Sequence, residues 1–519
     1  MGRSAPLGLG LAAAVILVPS SAAAAIIHVT PADSYAKIEA ANPGDEVVIA
    51  PGTYAFRVYL TKTASATSPI LIHAEDPANP PVWDLGTTLV EDAPGSYGAG
   101  DRGRGCWQIS GGTGYVIEDI VFTHCRNAQA DSAGIRYYEG ASVIIRDCIF
   151  RDNDNGLTGG TQDSTATVEY CEFDHNGNGA APSSAPTHNM YIYGGVFTLR
   201  YSWAHDALQG QNFHVRARQA TLEYNWFARA ASYAGDLMTS DDYAGGSTYA
   251  QSMVLRGNVF LQGTTQANTG QIFVLYNDTQ ASGLTLSAHV LYNTLVGAGA
   301  HAAFVHLSNA DGTLMTAEVD DNVVSGTNAP VLVEDPTHGT VTGTHNWMMS
   351  GVGTGPLTGT VYGASAGFVD PASENFHLAP GSPCIGAASS SGLSDLPTAE
   401  YWQDEKVTRM FRARATVNDI GAFESTTTGP PQGPGADGGG GPGGDAGGVD
   451  AADGGDATVP GADAAATSGD DGGANGASPG GSSGCGCEVP AGAAPHGGAV
   501  GVAASLLLGM VRRRRRPVG

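Results

Sequence analysis

Two short segments carry the side chains best suited to chemistry. In His188-Asn-Met-Tyr-Ile-Tyr193 and Gln211-Asn-Phe-His-Val-Arg216, apolar and polar residues alternate. On a β-strand this sends Met190, Ile192, Phe213 and Val215 to one face, and Tyr191, Tyr193, His214 and Arg216 to the other. A guanidinium can grip a carboxylate through paired hydrogen bonds. An imidazole near its ordinary pKa is free to take a proton at neutral pH, and a phenol can give one up. Those three abilities are what β-elimination in a uronate chain requires. His214 is the expected base, Tyr191 the acid, Arg216 the neutralising cation and His188 an orienting group. Arg136, Tyr138, Tyr193, Arg218 and Asp236 are expected to widen the surface on which an acidic sugar chain would lie. Arg136 and Tyr138 join it only if Ile135 faces inward, which needs a one-residue slip. Asp236 joins it only if Gly235-Asp-Leu-Met238 is a strand.

A second set of candidates is acidic. Asp152, Asp154, Asp174 and Asp206 fall near one another in the repeat described below, with His175 and His205 beside them. Ca²⁺ takes six to eight oxygen ligands, so this set is a candidate calcium cluster. The alternative is a row of turn residues bonding their own backbone. A hydrolase using Asp206 or Asp236 is a further possibility.

These side chains can meet only if a repeat brings them together. Val143-Ile-Ile-Arg-Asp-Cys-Ile-Phe150, Thr221-Leu-Glu-Tyr-Asn-Trp-Phe227 and Val254-Leu-Arg-Gly-Asn-Val-Phe260 are variations on one theme. Each is two short strands meeting at a residue that is usually small and polar. The series is Ile120, Cys148, Cys171, Ser202, Asn225, Asn258, Asn293, Asn322 and Asn346, at intervals of 28, 23, 31, 23, 33, 35, 29 and 24 residues. A floor of 23 with variable excess marks a solenoid whose insertions leave through the turns. Asn at one phase predicts a stacked amide ladder. The expected fold is all-β: a right-handed parallel β-helix of roughly ten coils over residues 26–425. Ser34–Ala41 reads as a short cap helix with Ser or Asp as its N-cap. Phe376–Pro383 and Asp419–Glu424 read as closing segments. Cys148 and Cys171 share the ladder phase and read as small core residues.

Composition narrows the class. Acids exceed Lys plus Arg by 26, charged residues are 14% of the chain and Lys occurs only at 37, 62 and 406. A nucleic-acid partner would need a basic face, so it is excluded. Residues 1–25 read as a secretory signal, with Arg3, the apolar Leu7–Val18 and an Ala-rich cleavage site. Residues 426–483, rich in Gly, Ala, Pro and Asp, cannot bury enough apolar surface to order and read as a disordered linker. Residues 484–519 hold Cys485 and Cys487, a short apolar stretch and Arg512–Arg516.

Two resemblances follow. The Cys motif, apolar segment and Arg cluster, in that order, resemble the myxobacterial C-terminal sorting signal MYXO-CTERM. That implies processing near Cys485 by sorting machinery, a membrane anchor, and display at the cell surface or outer membrane. From about Ser132 to Asn322 the chain resembles bacterial secreted right-handed β-helix repeat proteins. The motifs are Gly134-Ile-Arg-Tyr137, Phe150-Arg-Asp-Asn-Asp-Asn-Gly-Leu157, His188-Asn-Met-Tyr191, His205-Asp-Ala207 and Gly210-Gln-Asn-Phe-His-Val-Arg-Ala217. The wider superfamily is pectate-lyase-like and includes alginate lyases, chondroitinase B and polygalacturonases. The resemblance implies an acidic polysaccharide as partner. Relatives often carry Lys where this chain has His214, so a His base would replace a Lys base. The expected function is a uronate-directed polysaccharide lyase; a glycan-binding adhesin and a glycoside hydrolase are the alternatives.

If the sorting reading holds, deleting Ala499–Gly519 releases the protein into the medium or leaves it in the periplasm. Labelling of intact cells checks this; wild-type surface signal from the deletion strain would contradict it.

Overall fold

A computed structural model describes residues 23–90, 104–128, 130–177, 187–239, 249–263, 271–277, 284–298, 303–309, 314–326, 329–333, 337, 339–389, 392–402, 410–425 and 433. The Cys485 motif and the Arg cluster lie outside these residues, as do the expected signal peptide apart from residues 23–25 and the expected linker apart from residue 433.

The chain is a right-handed parallel β-helix. Each turn of the coil passes through three parallel sheets. One coil runs Met190–Ile192, Val196–Arg200, Trp203–His205, and the next begins at Phe213–Val215. Among the described residues, the sheet holding the first strand of each coil has ten strands and the other two have twelve. The third sheet runs past the ladder series at both ends: Thr53–Tyr54 and Val82–Asp84 precede Ile120, and Val361–Gly363 follows Asn346.

Register follows the alternation of side chains. Leu157, Met190 and Phe213 are cross-strand partners, and Met190, Ile192, Phe213 and Val215 have no exposed surface. Phe122, Phe150 and Phe173 stack coil on coil at 5.1 and 4.9 Å. A one-residue slip would turn every one of these out of the core.

The Asn ladder is present. Asn225 Nδ2 donates to Asn258 Oδ1, Asn258 to Asn293, Asn293 to Asn322 and Asn322 to Asn346, at 3.0, 3.0, 2.9 and 2.9 Å. Each Oδ1 also accepts the preceding Asn backbone N–H, as Asn293 does from Asn258 at 2.9 Å. Each second Nδ2 hydrogen goes to a buried carbonyl, as from Asn258 to Leu222 at 2.8 Å. The residue before each ladder position is left-handed: Asp119, Asp147, Tyr170, Tyr201, Tyr224, Gly257, Tyr292, Asp321 and His345 all have positive φ. A Tyr at positive φ is strained, and the ladder's fixed partners hold it there.

Two further ladders escaped the sequence reading. Asn153, Asn176, Asn189 and Asn212 form a second buried amide chain at another corner, with Nδ2–Oδ1 distances of 3.0, 2.9 and 2.8 Å. On the second sheet, charges alternate through Glu118, Arg146, Glu169 and Arg200, each bonded to the next.

Other expectations need correction. The helix spans Tyr35–Glu39 and Ser34 stands at its N-cap, but the Ser34 side chain makes no capping bond. Asp33 instead gathers Thr30 and Lys37. The C-terminal segments do not plug the end of the coil. They fold back along the outside of the third sheet, where Trp226, Val259 and Trp347 face outward and need cover: Phe376, Tyr401 and Phe423 pack with Trp226 and Val259, and Ile420 packs with Trp347. Cys148 and Cys171 are buried free thiols, as expected, and Cys106 and Cys125 form a disulfide that spacing did not announce. Among the described residues no helix is long and apolar enough to cross a membrane.

Replacing Asn258 or Asn293 by Leu orphans buried carbonyl and N–H groups, and should lower stability by about 1–3 kcal/mol. Denaturant unfolding checks this; unchanged midpoints would contradict the ladder's role.

Candidate functional site

The first-strand sheet builds the site by stacking. Arg136, Thr158, Tyr191, His214 and Asp236 are successive cross-strand partners. Adjacent parallel strands lie about 4.8 Å apart, so neighbouring side chains in this column touch. Ile135 is fully buried beneath Arg136, so the one-residue slip occurs; the turn Glu139–Ala141 absorbs it. Gly235–Met238 is a strand, so Asp236 joins the row. Tyr138 and Tyr193 lie beside it with ring centroids 6.0 Å apart. Arg218 stands apart, exposed in the turn that leaves this sheet.

The residues point away from the coil core, yet those at the centre of the row do not face solvent as expected. His188, His214, Arg216 and Asp236 are 2%, 5%, 8% and 1% exposed; Arg136, Tyr138, Tyr191 and Tyr193 are partly open. The cause is mutual packing of large side chains along the column. Tyr191 lies edge-on to His214 at 4.3 Å and stacks on Tyr193 at 4.2 Å. His188 is 4.9 Å from His214 and 5.3 Å from Tyr191, centroid to centroid. The Arg216 guanidinium lies 5.8 Å from the Tyr191 ring centre.

Polar contacts assign the protons. Arg216 Nε, an obligate donor, bonds His214 Nε2 at 3.0 Å. The neutral His214 ring therefore carries its proton on Nδ1, which sits 2.9 Å from Asp236 Oδ1, off the line of a hydrogen bond. Gln211 serves both flanks. Its backbone N–H donates to His188 Nδ1 at 3.1 Å, and its Nε2 donates to Asp236 Oδ2 at 3.1 Å. Gly210 is required by this packing, since a Cβ there would come within 2.3 Å of His188 Nδ1. At the far end Arg136 Nη2 donates to Tyr138 Oη at 2.9 Å.

Burial shifts the titrating groups apart. It pushes His188 down to about 3, helped by His214. It holds His214 well below the usual histidine range, with Arg216 adding to the effect. It raises Asp236 to about 7, against the pull of His188 and Arg216. A neutral imidazole and a carboxyl titrating near neutrality thus face each other, a pairing typical of proton-transfer sites.

The acidic candidates divide. Asp154 is buried and accepts backbone N–H groups of Asn127 and Ser132, a structural role. Asp152 is a left-handed turn residue. Asp174 and Asp206 do converge, with Glu172, His175 and His205. His205 Nδ1 lies 2.7 Å from Asp206 Oδ2 and 3.3 Å from Asp174 Oδ1. Arg229 grips both Asp206 oxygens at 3.0 Å. Burial opposes charge on His205, but Asp206, Glu172 and Asp174 together outweigh this and raise it to about 9. Sequence reasoning missed Glu172, Thr158 and Gln211. Glu172 precedes Asp174 by two and so shares its face, a signal the repeat already contained.

Comparison with known proteins bears on the fold. A family profile described as "Right handed beta helix region" matches residues 101–260. No curated protein matches the sequence significantly. Among solved structures the chain is similar to pectate lyase Pel9A, at 15% identity and a TM-score of 0.48, covering 78% of this chain and 97% of that one. It is similar to an alginate lyase from Paenibacillus sp. str. FPU-7, at 13% identity and 0.33, covering 61% and 99%. It is also similar to the GH136 lacto-N-biosidase from Eubacterium ramulus, at 9% and 0.34, covering 65% and 68%. Similarities this distant assign no activity.

The shift at Asp236 has a stability consequence. Between its ordinary value of 3.8 and about 7, the unfolded carboxyl loses its proton while the folded one keeps it. Asp236 therefore makes the fold less stable as pH rises through that window. Asp236→Asn cannot ionise, so its thermal midpoint should gain on the wild type as pH goes from 4 to 8. Parallel curves across that range would contradict the assignment.

Proposed function

We propose that this protein, exported and displayed at the cell surface, acts on an acidic polysaccharide as a lyase, cleaving a uronate-containing chain by β-elimination. The observation that carries the reading is the row Arg216–His214–Asp236, in which a guanidinium, a neutral imidazole and a carboxyl meet at 3.0 and 2.9 Å. A uronate carboxylate is a better partner for Arg216 than an imidazole is, because the ionic fork is stronger than a neutral acceptor. Its arrival draws Arg216 away and frees His214 Nε2. That nitrogen then takes the proton from C5 of the sugar. The C–H electron pair becomes the C4–C5 double bond, the C4–O bond breaks, and Tyr191 gives its phenolic proton to the departing oxygen. Asp236, ionised, balances the imidazolium through Nδ1–H. His188 packs against Tyr191 and orients it. Arg136, Tyr138 and Tyr193 continue the surface along the chain direction.

A second reading, glycoside hydrolysis with Asp236 as the acid, draws on its raised pKa. Products separate the readings. A lyase leaves an unsaturated sugar that absorbs in the ultraviolet, a hydrolase leaves new reducing ends without it, and an adhesin leaves neither.

The test is a screen of the exported protein on pectate, alginate and chondroitin, followed by His214→Gln. We expect ultraviolet-absorbing product from wild type, and a loss of about 10²–10⁴-fold in the variant with binding retained. Arg216→Lys should raise KM, since the fork is lost while the charge stays. Turnover unaffected by His214→Gln would contradict the reading.

A further inference from the structure

The corner cluster around His205 lies outside the row just described. Among the described residues, Glu172, Asp174 and His205 can each offer one ligand atom, all within 4.8 Å of one another. Such acids alone prove nothing; the decisive feature is the imidazole. His205 is 5% exposed, and its ring is fixed on Trp203 at 3.8 Å between centroids, nearly parallel. Its Nδ1 is engaged by Asp206 at 2.7 Å, and Arg229 locks that carboxylate with two bonds. Its Nε2 is buried without a hydrogen bond and is aimed at Glu172 Oε1, 3.7 Å away.

We propose that Glu172, Asp174 and His205 Nε2 bind a first-row divalent cation of the zinc type, with Asp206 as the outer partner of the histidine. The carboxylate–imidazole arrangement is the one that fixes a metal-ligating histidine in its tautomer and strengthens it as a ligand. Two ligand atoms about 2.1 Å from one tetrahedral ion lie about 3.4 Å apart, close to the separation of Nε2 and Oε1. Nitrogen with two carboxylates favours such an ion over calcium, whose ligands are oxygens. Charge agrees: Glu172 and Asp174 face His205, while Asp206 and Glu374 pair with the guanidinium of Arg229.

The site would join adjacent coils, since Asp174 and His205 are cross-strand partners. It is tied to the row by Asn189, which follows His188 and donates to the His205 carbonyl at 2.9 Å.

The test is calorimetric titration of Zn²⁺ into the full chain carrying Cys485→Ser and Cys487→Ser, which removes the terminal thiols. Glu172→Gln and Asp174→Asn are compared in the same background, with thermal midpoints measured without metal to check folding. His289→Gln, at another histidine–carboxylate contact, is the control. We expect one site per chain, weakened at least about tenfold in each ligand variant and unchanged in the control, with a Zn²⁺-dependent rise in midpoint that both variants lose. Absence of a stoichiometric site, or equal binding in both folded variants, would overturn the proposal.

Discussion

The buried amide ladder is the constraint on which the rest of the structure depends. A parallel β-helix has no hairpin to set its register, and insertions of up to a dozen residues separate its coils. Each ladder Asn must meet the next with both its oxygen and its nitrogen, in a place from which water is excluded. A coil that slipped by one residue would bury unpaired amides and turn Met190 or Phe213 outward at once. The charge ladder Glu118–Arg146–Glu169–Arg200 on the second sheet reinforces the register at the surface.

Register is what makes the site. Arg136, Tyr191, His214 and Asp236 are far apart in sequence and become neighbours only because the coils stack in phase. Crowding in the column then removes His214 and Asp236 from water, and desolvation drives them in opposite directions on the pH scale. A buried carboxyl facing a buried imidazole and guanidinium is costly to fold around. The second Asn ladder anchors the strands that carry it, through Asn189 and Asn212. Strain at the left-handed tyrosines is confined to the ladder corner, away from the column.

Much of this was legible in the sequence, for a physical reason. Period-2 alternation in 188–193 and 211–216 dictates faces, and the Asn series dictates phase, so the row was readable with its partners. Burial of that row was not: alternation tells which way a side chain points, not what stands beside it. Asn189 and Asn212 were quoted within the motifs, but their ladder was hidden because Asn176 and Asn189 are 13 residues apart, while the other two steps are 23. The disulfide joins Cys106 to Cys125 across a turn rather than along the repeat. The path of the C-terminal segments depends on outward aromatics such as Trp226, which in the sequence resemble any other strand residue.

The most direct measurement is a crystal structure of the His214→Gln variant with a uronate tetrasaccharide. The account predicts a sugar chain lying across the strands of the first sheet, one carboxylate on Arg216 and the Tyr191 hydroxyl against a glycosidic oxygen. A chain bound elsewhere, or an Arg216 that makes no contact with any carboxylate, would contradict it.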